Sequence, residues 1–111
     1  SFKRVLNILD SENKLLLKTK VTDVNQELLQ SRYEKDLFNI FKRLKQKNLD
    51  FNESLKSLAA LSQPINIFFE KVQINDKNIL LKTNRLYLLF DIKNFVVKEI
   101  DFSKIIKGKE L

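Results

Sequence analysis

The residues of this chain that can do chemistry are almost all cations and amides. Twenty-one Lys and Arg stand against fourteen Asp and Glu, a net charge of +7 over 111 residues, with no His and no Cys. That excludes a thiol nucleophile, a disulfide, an imidazole general base and the usual zinc ligand sets. A single Gly leaves no glycine-rich loop to cradle a phosphate. The carboxylates form no pair suited to acid–base work, so no catalytic residue and no metal ligand is assigned. What remains is a cationic surface, which suits a polyanionic partner. The competing reading is a solvated, lysine-rich set of helix faces. The densest run, Lys42-Arg43-x-Lys45-x-Lys47, fits both: a solvated helix end, or a contact for phosphate.

The elements that position these groups are helices. One Gly and one Pro are too few for the turns of sheets and hairpins, and 43% hydrophobic residues with nine Phe can fill a core. The length suits one domain, residues 1–111, folded as an all-α bundle of about five helices. The first helix is expected from Ser1 to about Leu9, with Phe2, Val5, Leu6 and Leu9 inward and Lys3 and Asn7 four apart on another side. Its start without a cap suggests a fragment of a longer chain. Asp10 to Lys14 reads as a turn, and Leu15 to Val21 as an extended connector or a short helix. Thr22 or Asp23 caps the next piece, with Val24, Leu28 and Leu29 inward and a break at Gln30 to Tyr33.

Glu34 to Lys47 has a clear apolar face of Leu37, Phe38, Phe41 and Leu44, with acids first and cations last, as the helix dipole favours. Asp50 and Glu53 form a capping arrangement for a helix through Leu61. Ser62 caps another, with Pro64 in its first turn and Ile65, Phe68, Phe69 and Val72 buried. After a break at Gln73 to Asp76, capped by Asn75 or Asp76, Lys77 to Glu99 is the longest helix. Its inward side takes Ile79 or Leu80, Thr83, Leu86, Phe90 and Val97, with Leu89 and Ile92 near it. Asp101 and Ser103 start a last short turn, and Lys107 to Leu111 is expected to fray. Short apolar runs such as Tyr87-Leu88-Leu89-Phe90 fall far below the roughly twenty residues of a membrane span, and no signal peptide is visible.

Five short patterns in order resemble one family. Lys3-Arg4-Val5-Leu6-Asn7-Ile8-Leu9 is similar to an opening helix that runs Lys-Arg-Val-x-Asn-Ile, and Phe51-Asn52-Glu53-Ser54-Leu55 to a Tyr-x-Asp-Ala-Leu element. Leu58-Ala59-x-Leu61 leads into Pro64-Ile65 and Phe68-Phe69-Glu70-Lys71-Val72, like Ile-Asp-x-Phe-Phe-Asp-x-Val. Asp76, then Asn84-Arg85-Leu86 with Leu88-Leu89, fits an acidic loop followed by Asn-Arg-Leu-x-Leu-Leu, and Asp101-Phe102-Ser103 fits a final Asp-Ile-Ser. Helical patterning constrains polarity but not identity, so the shared order carries weight. The chain resembles the C-terminal anticodon-binding domain, of DALR type, of the bacterial glycyl-tRNA synthetase β subunit. Arginyl-tRNA synthetase carries a related domain and is the rival. Departures are Glu53-Ser54-Leu55-Lys56 for Asp-Ala-Leu-Arg, Ser62 for Arg, Asn66 for Asp, and Val72-Gln73-Ile74-Asn75 for Val-Met-Val-Met.

The resemblance implies recognition of the anticodon arm of tRNA(Gly), in the cytoplasm, within an enzyme of two α and two β subunits. ATP with magnesium would be bound elsewhere, on the α subunit, and this chain would hold no cofactor. Reading an anticodon needs stacking surfaces, amides and cations. The residues nominated for tRNA are Lys3, Arg4 and Asn7 on the first helix and Lys82, Asn84 and Arg85 on the longest. For Arg85 the other reading is an internal salt bridge, to Glu70 or another acid, and for Asn84 a bond to nearby backbone. Phe38, Phe41, Phe68, Phe69 and Phe90 are expected in the core, and Phe2, Tyr33 and Tyr87 are the candidate exposed rings. The alternative from another class is a helical protein-interaction module whose apolar groove takes a partner helix.

Overall fold

Two capping boxes set where the middle helices begin. The Ser31 hydroxyl accepts from the Glu34 N–H at 3.2 Å while the Glu34 carboxylate accepts from the Ser31 N–H at 2.7 Å. Asp50 and Glu53 repeat the exchange at 2.8 and 3.4 Å, as their spacing predicts. The computed structural model describes residues 2–19, 23–47 and 50–110, apart from the side chains at 51, 54, 58 and 99–110. The order is α1 (Phe2–Ser11), α2 (Asn13–Lys18), a single 3-10 turn (Gln26–Leu28), α3 (Arg32–Lys45), α4 (Phe51–Lys71) and α5 (Ile79–Glu110). There is no strand among the described residues, and the class is all-α with five helices. The expected cap at Thr22 and the fraying at Leu111 fall on residues outside the described ones, and α3 ends at Lys45, within two residues of the expected Lys47.

The core joins Val5 and Leu9 of α1, Leu37 and Phe41 of α3, Leu61, Ile65 and Phe68 of α4, and Leu86, Leu88, Leu89 and Ile92 of α5. Helix α5 is the centre, packed by α1, α2, α3, α4 and the 3-10 turn. A helix covered on several sides has no single inward stripe. Thr83, Asn84, Arg85 and Leu86 are therefore buried in succession. The expected stripe is corrected accordingly: Ile79, Leu80 and Val97 are exposed, while Leu81, Leu88 and Val96 are buried.

Three boundaries differ from expectation. Where a turn was expected, followed by a connector or a short helix, backbone bonds from Glu12 to Ile8 (3.0 Å), Leu16 to Glu12 (3.2 Å) and Thr19 to Leu15 (3.2 Å) carry helical geometry across residues 12–19, replacing the turn and selecting the short helix. Leu15 and Leu16 pack partly against the core, which is what α2 gains. Helix α4 runs unbroken through Ser62, with Pro64 inside it rather than in a first turn. An interior proline costs about 3 kcal/mol through the lost hydrogen bond and the clash at the carbonyl four residues back. Leu61, Ile65 and Phe68 lie on one stripe spanning that site, each at most 4% exposed. At about 1.5–3 kcal/mol for each side chain, their burial outweighs the proline. Helix α5 also continues through Glu110, past the expected end at Glu99, since its only Gly falls at the far end, at 108.

Candidate nucleic-acid interface

Helix α1 turns Val5 and Leu9 into the core, so Arg4, Ile8 and Ser11, one position round the helix, face the end of α4. There the chain leaves α4 at Val72, which is extended and whose N–H donates to the Phe68 carbonyl at 2.9 Å, then bends at 74–75, where the Asp76 N–H donates to the Ile74 carbonyl at 2.9 Å. Val72 and Ile74 are buried, and Gln73 and Asn75 are exposed. The result is an open cleft of about 500 Å³ between α1 and this segment. The Arg4 guanidinium lies over the Phe69 ring, 4.6 Å from its centre. Asn7, Gln73 and Asn75 supply amides around it, and no acid lines it. An arginine plane on an aromatic face, rimmed by amides over an apolar floor, can stack a planar ring and bond its edge.

Of the six nominated residues, Lys3, Arg4 and Asn7 stand exposed on α1, and Arg4 and Asn7 line the cleft. The three on α5 are engaged inside the protein. The Arg85 Nε donates to Glu34 Oε1 at 2.7 Å, and its Nη1 donates to the Gln73 carbonyl at 2.6 Å and to Asp76 Oδ2 at 3.4 Å. The acid is thus Glu34, with Asp76, rather than Glu70. Asn84 makes a reciprocal pair with the backbone of Asn25: its Oδ1 accepts from that N–H at 2.7 Å, and its Nδ2 donates to that carbonyl at 3.1 Å. Lys82 pairs with Glu12 at 3.3 Å.

Glu34 joins these parts. It is 0% exposed, caps α3 through Ser31 and receives Arg85 on its other oxygen. Burial alone would raise its pKa, but the hydrogen bonds from Arg85 and Ser31 outweigh burial and hold the carboxyl below its ordinary 4.5. Because Arg85 also grips the Gln73 carbonyl, this buried pair fixes the backbone of the segment that brings Gln73 and Asn75 to the cleft. Arg85 is therefore a positioning residue for the cleft, reached through its framework.

The five phenylalanines expected in the core pack there, and the three rings expected to be exposed do not stand free. Phe41 and Phe68 are buried, and Phe38, Phe69 and Phe90 pack partly against the core. Phe69, expected as core alone, also underlies Arg4. Phe2, Tyr33 and Tyr87 are half-buried rather than exposed. Burial raises the Tyr87 pKa, helped by Asp91 and Asp23. In the cationic run, Lys45 pairs with Asp91 at 3.0 Å and Lys42 lies over Phe38 at 6.0 Å. Gln73 and Asn75 were not nominated. Their one signal was the polar, period-two break after an apolar helix. Among the described residues, no group of three His, Cys, Asp or Glu is placed to hold a metal ion, and no helix is long and apolar enough to cross a membrane.

No protein-family model and no solved structure matches the chain. Curated relatives do. The chain is 32% identical over 107 residues to the glycine–tRNA ligase β subunit of Buchnera aphidicola subsp. Schizaphis graminum, covering 91% of this chain and 15% of the relative. It is 30% identical over 112 residues to that of Rickettsia typhi, covering 95% and 16%. It is 33% identical over 109 residues to that of Acidovorax sp. (strain JS42), covering 93% and 14%. The chain spans about 15% of the length of such relatives. Over nearly all of its own length, then, this chain is similar to a segment of the β subunit of glycine–tRNA ligases.

Proposed function

We propose that the chain is the anticodon-arm-binding domain of a glycine–tRNA ligase β subunit. The observation that carries this is the acid-free cleft in which Arg4 stacks on Phe69 among the amides of Asn7, Gln73 and Asn75, in a chain similar to those subunits. An unstacked anticodon base would lie against the Arg4–Phe69 face and meet amides along its edge, while Lys3 and Arg4 meet phosphate. The net charge of +7 draws the polyanion in. Lys82, Asn84 and Arg85 serve this interface by fixing its frame.

In this reading the parent enzyme works in the cytoplasm and attaches glycine to tRNA(Gly) using ATP and magnesium held on the α subunit of a heterotetramer. Here the tRNA is held by its far end. A filter-binding comparison of a tRNA(Gly) transcript with the same transcript carrying a swapped anticodon tests it. The expected result is tighter binding of the glycine transcript. Equal binding of the two would refute anticodon recognition by this chain.

A further inference from the structure

A second cleft, of about 360 Å³, opens between α3 and α4. Its floor includes Pro64 and Ile67 of α4, and its α3 wall carries Arg32, Tyr33, Asn39 and Arg43. Ile67 and Phe69 are two positions apart on α4, about 200° of helical turn, so the two clefts lie on opposite flanks of the same helix. Both offer an exposed arginine beside a ring: Arg4 on Phe69 at 4.6 Å, and Arg32 over Tyr33 at 5.6 Å.

The charge around this second cleft is net positive, although Asp36 also lines it. Arg32, Lys35, Lys42 and Arg43 make no ion pair among the described residues, and one exposed acid, Asp36, stands among them. A partner helix with an apolar face would need few of these cations. A phosphodiester chain uses them directly. Arg32 and Arg43 are eleven positions apart, about 16 Å along the axis, which lets them reach separate phosphates of one strand.

We infer that the α3–α4 cleft is a second RNA contact, gripping the phosphodiester backbone through Arg32 and Arg43 with Tyr33 within reach of a sugar or base. The RNA is thereby held on both flanks of α4. This inference rests on the RNA-binding reading and adds a site to it.

The test is the salt dependence of tRNA(Gly) transcript binding to the chain, for the parent protein, for Arg32→Gln/Arg43→Gln, and for Asp36→Asn. The double variant should bind roughly tenfold more weakly, with a log–log salt slope shallower by about 1.4–1.8, the share of two phosphates. Asp36→Asn should bind a few-fold more tightly, a gain that damage to the fold cannot mimic. Parent-like affinity and slope in both variants, with binding by the parent intact, overturns the second contact and leaves the α1 cleft standing. Absence of tRNA binding by the parent removes both.

Discussion

Arg85 sits in the central helix with its guanidinium divided between Glu34 at 2.7 Å and the Gln73 carbonyl at 2.6 Å. Arg4 sits on the outer helix, exposed, with the Phe69 face as its neighbour and no ion pair among the described residues. Both belong to short motifs that nominate them for RNA, with an internal salt bridge as the other reading of Arg85 alone. What separates them is partner supply: a cation surrounded by acceptors is spent on structure, and one left on a ring remains available to a ligand. The same contrast holds for their neighbours, since Asn84 is bonded to Asn25 and Asn7 lines an open cleft.

The contrast can be broken most readily at Arg85. Arg85→Ala leaves a buried carboxylate unpaired, so chemical denaturation should show a loss of about 3–5 kcal/mol. A loss below about 1 kcal/mol would mean the pair is solvated and Arg85 is free after all. The pH dependence sharpens the same point. Since the folded-state pKa of Glu34 is depressed, its contribution is complete at neutral pH and disappears as pH falls below 4.5 through the folded value. The stability gap between the parent and Glu34→Gln should therefore be largest near neutrality and narrow in acid. A gap independent of pH would show that ionisation of Glu34 is not what the pair uses.

Asn84→Ala removes both bonds to Asn25 and should cost about 1–3 kcal/mol by the same measurement, with faster amide exchange in residues 24–29. The smallest effect is expected at Lys82, whose pair with Glu12 is partly solvated: Lys82→Ala should change stability by about 0–1 kcal/mol. A larger cost there would extend the structural group to the start of α5.

How far the sequence discloses this division follows from distance along the chain. The capping boxes at Ser31–Glu34 and Asp50–Glu53 close over three residues, and the second was legible from spacing alone. The all-α class was legible from the shortage of Gly and Pro. The unbroken α4 was not, because Ser62 followed by Pro64 is a local start signal for a new helix, overridden by burial of Leu61, Ile65 and Phe68 against other helices. Glu34 lies 51 positions from Arg85, and Asn25 lies 59 from Asn84. No periodicity marks such partners. The α1 half of the site was visible because an apolar stripe through Phe2, Val5 and Leu9 accounts for its core side, leaving Arg4 and Asn7 outside it.

The most direct test of the division is the salt-dependent affinity of Arg4→Gln for a tRNA(Gly) transcript, measured on protein whose melting temperature matches the parent's. The expected result is a roughly tenfold loss with a slope shallower by about 0.7. Unchanged affinity and slope would contradict it, and would leave Arg4 as surface charge on a ring.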